Sequence, residues 1–522
     1  MLHCIANVFI CFMLLYSTSI CSKTISLSTK TSINSQFVDQ SAVYLCSDVI
    51  DLMGDTICIP RGATISFNGG RIQNGTLHGS NTVLTGTLLN RFSNVNFTGS
   101  FCITHISFKS FYNYDTDTDL LRGMLNLLFS GSDYCILDLE PSRVYDVCYH
   151  KLSYAHSIYE YRGVKNKIIR GNNSLINDLR KRSLVSYQTY DGIFLFSDSH
   201  NISIHDLNYQ NLNEDYLAIV ENGKVIFEDG LENQIGYVGT SFILLQNDCS
   251  KFDIKAKIKG ARYGIKSGDY SHFWLSGNYG VKDSKFNITA FRTGYPISIE
   301  IGDSLNIFVH SELHHRAAYL CGISNSNIVI EAKDICIAPI HCLLSDTHYS
   351  KGDKKHANYK ACRNLRVSVT DMGSSVTTNG DCFCAGFQTY NNEPFYNRNH
   401  PLVWENIYLQ LSKKSRSDKI GLFVFYQSNP KGLQKMIKYK DVFRNIVISG
   451  EDSFVSSQYA LRIKLNEYCY IDSFNIKIKA PHSPAILDNV NNCIFDLTDS
   501  SFSCIYHSGR IQVSTNANRY EL

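Results

Sequence analysis

A short segment recurs along the chain, in which a Ser or Asn and a polar residue precede alternating apolar and polar positions, as in SKFDIKAKI and NSNIVIEAK. The alternation, with a period of two residues, predicts half-buried strands. The apolar anchors of the copies are Ile202, Phe252, Phe286, Ile307, Ile328, Leu365, Ile407, Ile446, Phe474 and Ile494. They lie 50, 34, 21, 21, 37, 42, 39, 28 and 20 residues apart, which fits coils of about 21 residues with loops or second coils between them. Such a repeat predicts stacked coils, each of which buries its inner face only against its neighbours.

Other repeat architectures and several function classes do not fit this chain. The fixed leucine pattern of leucine-rich repeats is absent, and no copy has the 3.6-residue period of a helical repeat. Hydrophobic residues make up 44% of the sequence and charged residues 19%, which supplies a large core and excludes a disordered chain. The net charge of +3 is too small for a general nucleic-acid binder, so we expect no nucleic-acid partner.

The N-terminal part of the chain has its own strand signals. Residues 56–101 alternate short β-like segments with Gly-Gly, Asn-Gly and Gly-Ser turns, a pattern typical of all-β structure. Residues 117–130 (DTDLLRGMLNLLFS) place their leucines and methionine on one helical face behind an Asp cap, which predicts one short helix. A strand is predicted at 134–139, and the segment KNKIIRG at 165–171 begins the main run of coils.

The segment IPRGATISFNGGRIQNGTLHG at 59–79, with the helix, the strand and KNKIIRG that follow it, resembles the opening of secreted bacterial right-handed parallel β-helix proteins of the pectate-lyase-like superfamily. The resemblance covers residues 45–510 and implies that fold. It does not specify an activity, because the superfamily includes polysaccharide lyases, glycoside hydrolases, phage tailspikes and non-catalytic surface proteins. The paired Asp and the Gly-His-Gly of polygalacturonase-like hydrolases are absent here, as is an acidic cluster like that of calcium-dependent pectate lyases.

We therefore expect an all-β chain with a signal peptide at 1–21, a β-rich N-terminal cap at 22–110, a right-handed parallel β-helix at 111–510 and a tail at 511–522. The apolar stretch at 5–16 is too short to span a bilayer but fits the hydrophobic region of a secretory signal. The expected location is secreted or at the cell surface, with the periplasm and the outer membrane as alternatives. A lipid anchor at Cys21 is the one membrane attachment considered.

The 18 cysteines are scattered without the paired spacing of a zinc site, so we expect no metal and no cofactor. They fit small apolar residues of a core. Cys321 and Cys342 lie one period apart, which predicts lateral neighbours that form either a disulfide or a pair of stacked thiols.

Residues 312–319 (ELHHRAAY) hold the densest set of side chains that could transfer protons or bind an anion. Among them, we take His314, His315, Arg316 and Tyr319 as candidate catalytic residues. An Arg can bind a uronate carboxylate through two hydrogen bonds, and a His or Tyr can then remove the proton next to it. These parts suffice for β-elimination without a metal. Strand alternation places His314 and His315 on opposite sides, so we expect only one of them to face a groove.

Coils stack about 4.8 Å apart, so residues one period apart become lateral neighbours. Tyr295 and Arg316 both lie nine residues after an anchor, Arg262 joins them if the loop between is a bulge, and Arg292 aligns with Leu313. The candidate substrate-binding residues are Arg262, Arg292, Tyr295, His341, Asp346, His348 and Tyr349. Hydrolysis is a separate alternative that needs two carboxylates, with Glu300, Asp303, Glu312 and Asp346 as candidates.

The predicted function is a carbohydrate-active protein whose partner is a polysaccharide, with an acidic one favoured, and which cleaves it by elimination. The alternatives are a non-catalytic glycan binder, such as an adhesin or a tailspike-like protein, and a purely structural solenoid. The chain is expected to be a monomer or, if coils associate side by side, a homotrimer.

Overall fold

The computed structural model describes residues 23–148, 157–179, 190–211, 219–221, 224–226, 239–267, 280–335, 340–346, 360–373, 382–389, 402–413, 420–427, 441–450, 460–464, 469–471, 474–488, 493–508 and 511–521. The signal peptide expected at 1–21 and Cys21 lie outside these residues. The chain forms two compact units, Met1–Asp138 and Leu139–Leu522.

The first unit is built on parallel strands. They are β1 (Thr24–Ser26), β2 (Val43–Cys46), β3 (Val49–Asp51), β4 (Thr56–Cys58), β5 (Thr64–Phe67), β6 (Arg71–Gly86), β7 (Phe92–Cys102), β8 (His105–Ser107) and β9 (Cys135–Asp138). The first seven form one sheet in the order β1, β2, β5, β6 and β3, with β4 and β7 both paired with β6, and β8 pairs with β9. Short 3₁₀ turns span Ile33–Ser35 and Phe108–Ser110. The turn-rich β signal at 56–101 is thus confirmed.

The single predicted helix is α1 (Asp117–Ser130). Its cap is Thr116, whose hydroxyl accepts the backbone N–H of Asp119 at 3.0 Å, so the expectation of an Asp cap is wrong. The apolar face is buried as predicted, with Leu121 and Met124 both at most 1% exposed. The helix therefore contributes its leucine face to the core of the first unit.

The second unit is a long stack of parallel strands. Its strands are β10 (Val144–Val147), β11 (Tyr159–Arg162), β12 (Lys165–Arg170), β13 (Leu175–Asp178), β14 (Tyr190–Ser197), β15 (His200–His205), β16 (Asn208–Gln210), β17 (Ile219–Glu221), β18 (Lys224–Ile226), β19 (Gly239–Gln246), β20 (Asp248–Ser250), β21 (Asp253–Lys259), β22 (Tyr263–Ser267), β23 (Gly280–Lys282), β24 (Lys285–Thr293), β25 (Tyr295–Asp303), β26 (Asn306–His314), β27 (Ala318–Ile335), β28 (Ile340–Ser345), β29 (Arg363–Asp371), β30 (Cys382–Thr389), β31 (Val403–Lys413), β32 (Ile420–Gln427), β33 (Asp441–Gly450), β34 (Leu461–Lys464), β35 (Cys469–Ile471), β36 (Phe474–Ala480), β37 (Ala485–Asp488), β38 (Cys493–Asp496), β39 (Ser501–Phe502), β40 (Ile505–His507), β41 (Ile511–Ser514) and β42 (Arg519–Glu521). Among these, β17 and β18 form an antiparallel pair.

Among the described residues, successive coils hydrogen-bond to one another in parallel, which confirms a parallel β-helix with a β-rich N-terminal region and one short helix. The 21-residue register is confirmed where it was strongest, because Phe286 pairs with Ile307 and Ile307 with Ile328. The anchors from Leu365 to Phe474 also pair as predicted, but the register slips by two positions at two other places. Phe286 pairs with Ile254, and Leu365 pairs with Ser326.

The segment expected to be a C-terminal tail instead carries two strands. β41 pairs with β38, and β42 pairs with β40. Because the backbone N–H and C=O groups of these residues bond to the coil before them, residues 511–521 continue the solenoid.

Asparagines stack along one corner of the β-helix. The side-chain amide of Asn364 donates to Asn325 Oδ1 at 2.9 Å, Asn406 to Asn364 at 3.0 Å, and Asn445 to Asn406 at 2.8 Å. All four have φ between 49° and 55°, a left-handed conformation that Asn tolerates better than most residues. This asparagine ladder satisfies the polar groups of the corner and repeats with each coil.

The predicted neighbours Cys321 and Cys342 are not lateral partners. Cys342 lies beside Ala318, and Cys321 lies beside Ser345, because the coil between them is longer than the period read from the anchors. Both cysteines are free thiols in the core, so the disulfide alternative is wrong.

Candidate functional site

The candidate site lies where successive coils turn into the strands β22, β25 and β27. β26 ends at His314 and β27 begins at Ala318, so His315, Arg316 and Ala317 form a corner. The carbonyl oxygen of Gly294, the corner residue of the preceding coil, accepts the backbone N–H groups of His315 at 2.9 Å and Arg316 at 3.0 Å. A β-carbon at Gly294 would lie 2.8 Å from the carbonyl oxygen of Arg262, so glycine permits this close stacking of corners.

Aromatic rings and cations from three coils meet at this corner. Tyr263 and Tyr295 are paired in register, and their rings stack with centroids 5.1 Å apart. The ring of His315 meets that of Tyr295 edge-on at 4.8 Å, and Tyr319 lies 6.1 Å from Tyr295. We call this group, with the cations below, the Tyr–Arg cluster; its members are Arg262, Tyr263, Lys266, Tyr295, His315, Arg316 and Tyr319.

Three cations lie over these rings. Arg262 lies 4.7 Å and Lys266 4.4 Å from the centroid of Tyr263, and Arg316 lies 5.3 Å from that of Tyr319. Such contacts stabilise a cation that has lost part of its water. The Tyr–Arg cluster thus brings three cationic side chains onto the faces of two tyrosine rings.

Burial is the main cause that lowers the pKa of His315, and the charges of Arg316 and Arg262 add to it, so that the value falls to about 3. The imidazole is neutral at neutral pH and able to accept a proton. Nε of Arg316 is buried and has no hydrogen-bond partner among the described residues. A buried guanidinium N–H without an acceptor is an orphan donor, which a carboxylate oxygen would satisfy.

The two tandem histidines separate as expected, since only one faces outward. His315 is half-buried at the surface, whereas His314 is fully buried inside the β-helix. His341 is also fully buried, and its Nδ1 lies 2.8 Å from Nε2 of His314. The expectation that His314 acts on substrate and that His341 binds it is therefore wrong, because both rings point into the core.

Only some of the other predicted substrate-binding residues lie in the Tyr–Arg cluster. Arg262 and Tyr295 belong to the Tyr–Arg cluster. Arg292 lies between the register pairs Phe291–Glu312 and Thr293–His314, so it faces Leu313 as expected, at the end of β24. Asp346 follows β28 and is 4% exposed, and His348 and Tyr349 lie outside the described residues.

The carboxylates considered for hydrolysis do not converge. Glu312 binds Lys333 Nζ at 2.7 Å, and Asp303 accepts hydrogen bonds from Ser324 and Asn325 at 2.6 and 2.7 Å. Burial works to raise the pKa of Asp303, but these hydrogen bonds lower it below its ordinary value, so this group stays ionised. Glu300 pairs with Cys321, which pairs with Ser345.

Glu300 is therefore two coils from the strand end that carries Asp346, which is about 10 Å along the stack. The backbone at Glu300 is held by Ser267, whose Oγ accepts its N–H at 2.9 Å. Glu300 and Asp346 therefore do not lie on adjacent coils.

Sequence reasoning missed Tyr263 and Lys266. Tyr263 pairs with Tyr295 and Lys266 with Ser298, so both lie directly beside residues of β25 on the next coil. The spacing of the anchors Phe252 and Phe286 displaces this coil by two positions, because Phe286 pairs with Ile254 instead. The recurrence of Tyr at 263 and 295, each at the first position of a strand, was the signal that could have found the pair.

The part of the chain that the structure describes contains no helix with the length and apolar character needed to cross a membrane. It also contains no group of three or more His, Cys, Asp or Glu residues arranged to hold a metal ion.

Comparisons with solved structures give five matching chains, one of which is an exopolygalacturonase. The chain is similar to the solved structure of a family 28 exopolygalacturonase from Yersinia enterocolitica, with a TM-score of 0.29 and 10% sequence identity, over 81% of this chain and 79% of that one. No protein-family model matches the chain. No curated protein matches it.

Proposed function

We propose that this chain binds an acidic polysaccharide at the Tyr–Arg cluster and cleaves it by β-elimination. The observation that carries the proposal is the orphan Nε–H of Arg316 beside a neutral His315 and a second guanidinium, that of Arg262. Both guanidinium groups lie close enough to His315 for their charges to lower its pKa, so an anion bound beside this ring would be attracted by both. A uronate carboxylate would supply that anion and accept two parallel hydrogen bonds from Arg316.

In the proposed reaction, His315 removes the proton on the carbon next to the bound carboxylate. The electron pair of that C–H bond forms a C=C bond, the bond between the β-carbon and the glycosidic oxygen breaks, and the oxygen leaves with the electron pair of that broken bond. A proton from Tyr319 or from water then neutralises the leaving oxygen. The arginines contribute by stabilising the negative charge that spreads onto the carboxylate as the proton is removed.

The low pKa of His315 limits this residue as a base in the unbound protein, where a group with a pKa of about 3 is weak at neutral pH. Burial is the largest cause of the low value, and the charges of Arg316 and Arg262 are the smaller ones. A bound carboxylate would offset these two charges, whereas a neutral glycan would not. An acidic substrate therefore acts on the pKa of His315 in the direction that catalysis needs.

The second candidate is binding of the same anionic glycan without cleavage. It is favoured by the same low pKa, because an imidazole that stays a weak base after binding would hold the carboxylate but not remove a proton. Both candidates use the same charged residues in the same positions, so a reaction assay must separate them.

The test follows unsaturated-product absorbance and new reducing ends for a panel of acidic and neutral polysaccharides. Wild type, Arg316→Gln and the control Arg366→Ala are compared; Arg366 is an exposed arginine on β29. Elimination predicts absorbance with acidic glycans that is lost in Arg316→Gln and kept in Arg366→Ala. Binding without either product supports the second candidate. Reducing ends without absorbance would refute elimination, and binding that is indifferent to Arg316→Gln would refute the site.

We propose that the protein is exported to the cell exterior. The segment at 1–21 would then be removed, or, with a lipid at Cys21, the segment before Cys21 would be removed and the lipidated cysteine would become the first residue. N-terminal sequencing and the intact mass of the protein from its native host distinguish these outcomes from an uncleaved chain.

A further inference from the structure

Four buried polar side chains lie in a row inside the β-helix, behind the corner that carries His315 and Arg316. Ser311 Oγ lies 3.1 Å from Nδ1 of His314, and Nε2 of His314 lies 2.8 Å from Nδ1 of His341. Nε2 of His341 lies 3.6 Å from Oδ1 of Asp371, which is longer than a hydrogen bond. All four side chains are at most 1% exposed. We call this group the buried histidine chain.

One assignment of protons satisfies these contacts. The Ser311 hydroxyl donates to Nδ1 of His314, the Nε2–H of His314 donates to Nδ1 of His341, and the Nε2–H of His341 points toward Asp371. Burial is the main cause that holds the pKa of His314 well below its ordinary value, with His341 and His315 adding to it. A neutral His314 is the form that this assignment requires.

The members of the buried histidine chain come from strands of different coils, so this group connects the coils. Ser311 on β26, Ala332 on β27 and Asp371 on β29 are lateral partners, and His341 comes from β28. Asp371 is itself fixed, since its Oδ1 accepts the backbone N–H of Gly373 at 3.0 Å. Buried hydrogen bonds of this kind favour the backbone arrangement that preserves them, because breaking one leaves a buried polar atom without that partner.

His314 is also the last residue of β26, directly before the corner that presents His315 and Arg316. The corner is held from outside the core by the carbonyl of Gly294 and from inside by the ring of His314. The corner residues themselves lie outside the regular strands, so the strand ends determine their direction. The side chains of His315 and Arg316 thus depend on where His314 is held.

We propose that the buried histidine chain positions the corner at His315 and Arg316, so that His314 and His341 are positioning residues for the Tyr–Arg cluster. The functional part of this inference rests on the proposed function, whereas its structural part does not. Disrupting the buried histidine chain should displace His315 from Arg316 and Arg262 without removing any group that would contact substrate.

The test compares His341→Leu, His341→Asn and Tyr209→Phe with wild type. Asn can place an acceptor where Nδ1 of His341 stands, so it should rescue what Leu destroys. Tyr209→Phe is the matched control, because it removes a buried hydrogen bond, 2.9 Å to Asp178, elsewhere in the same β-helix. Ser311→Ala removes a single hydroxyl from the chain and serves as the milder variant if His341→Leu does not fold.

The first readout is the pKa of His315, followed by NMR of labelled histidines without any glycan. We expect it to rise from about 3 in His341→Leu and Ser311→Ala, and to stay near its wild-type value in His341→Asn and Tyr209→Phe. An unchanged value in both His341→Leu and Ser311→Ala would overturn the inference, and so would an equal rise in Tyr209→Phe.

The second readout is the affinity for an oligogalacturonate, used as the acidic probe. We expect His341→Leu to weaken binding roughly tenfold or more, a scale typical of misplaced binding groups. If wild type does not bind the probe but the pKa of His315 shifts as expected, the positioning role is supported and the proposed function fails. If wild type binds and His341→Leu binds equally well with an unshifted His315, the positioning role is refuted while the proposed function stands.

Discussion

The contribution of the asparagine ladder to stability can be tested at Asn364, whose side chain forms hydrogen bonds with the asparagines of both neighbouring coils. It donates to Asn325 at 2.9 Å and accepts from Asn406 at 3.0 Å, and its φ is 53°. Asn364→Ala removes two exposed hydrogen bonds, each of about 0.5–1 kcal/mol. It also forces a residue with less tolerance for left-handed φ into that conformation, at about 1 kcal/mol. We therefore expect the free energy of unfolding to fall by about 2–3 kcal/mol.

Two companion variants separate these contributions. Asn364→Gly loses the same hydrogen bonds but adopts positive φ without strain, so it should be about 1 kcal/mol less destabilised than Asn364→Ala. Arg366→Ala, on the exposed face two residues later, should change stability by less than about 0.5 kcal/mol. Urea unfolding followed by circular dichroism gives the totals, and hydrogen exchange of the corner amides reports local opening.

Two outcomes would contradict the predicted contributions of strain and hydrogen bonding at Asn364. Equal losses in Asn364→Ala and Asn364→Gly would show that left-handed strain makes no contribution. A loss in Asn364→Ala no larger than that of Arg366→Ala would show that the ladder hydrogen bonds do not stabilise the coil stack.

Three other perturbations test the core, the site and the thiols. Trp404→Ala should lower the free energy of unfolding by about 3–5 kcal/mol in urea titrations, because this fully buried ring stacks on Phe443 at 5.5 Å; a loss under about 1 kcal/mol would contradict the packing. The pKa of His315 lies below its unfolded value of 6.5, so stability is fully present above pH 6.5 and should decline by up to about 1.4 kcal/mol per pH unit toward pH 3, less steeply in Arg316→Gln, as read from urea midpoints across pH. Burial raises the pKa of the Cys342 thiol, so an alkylating reagent should label exposed Cys58 in the folded protein and Cys342 only in urea; mass spectrometry showing equal labelling would disprove this.

Local sequence patterns were sufficient to predict the architecture. Alternation of apolar and polar residues determines which face of a strand is buried, and the pattern is visible in every copy, as in KFNITAF at 285–291. The 21-residue interval from Phe286 to Ile328 predicted lateral pairs that the backbone hydrogen bonds confirm. The amphipathic face of α1 was likewise readable, because helical spacing and side-chain burial depend on neighbours a few residues away.

The sequence also narrowed the candidate site to one corner. It groups Arg316, His315, Tyr319 and Tyr295, since the 21-residue interval places Tyr295 beside Arg316. It further required that His314 and His315 face opposite ways. That inference needed only the alternation of side chains along a strand, and it is correct at His314, the last residue of β26.

Tertiary structure decided the rest, because coil length is set by loops whose extent local patterns do not reveal. A longer coil pairs Cys342 with Ala318 and so separates the two cysteines that a strict period had placed side by side. The observed pairing of Tyr263 with Tyr295 brings in Tyr263 and Lys266, which the anchor spacing had displaced by two positions. The sequence by itself determined the strands and the solenoid, since each depends on neighbours along the chain. Which way the ring of His314 points, and therefore what stands behind His315, depends on bonds to His341 from the next coil, and only the stacked structure supplies them.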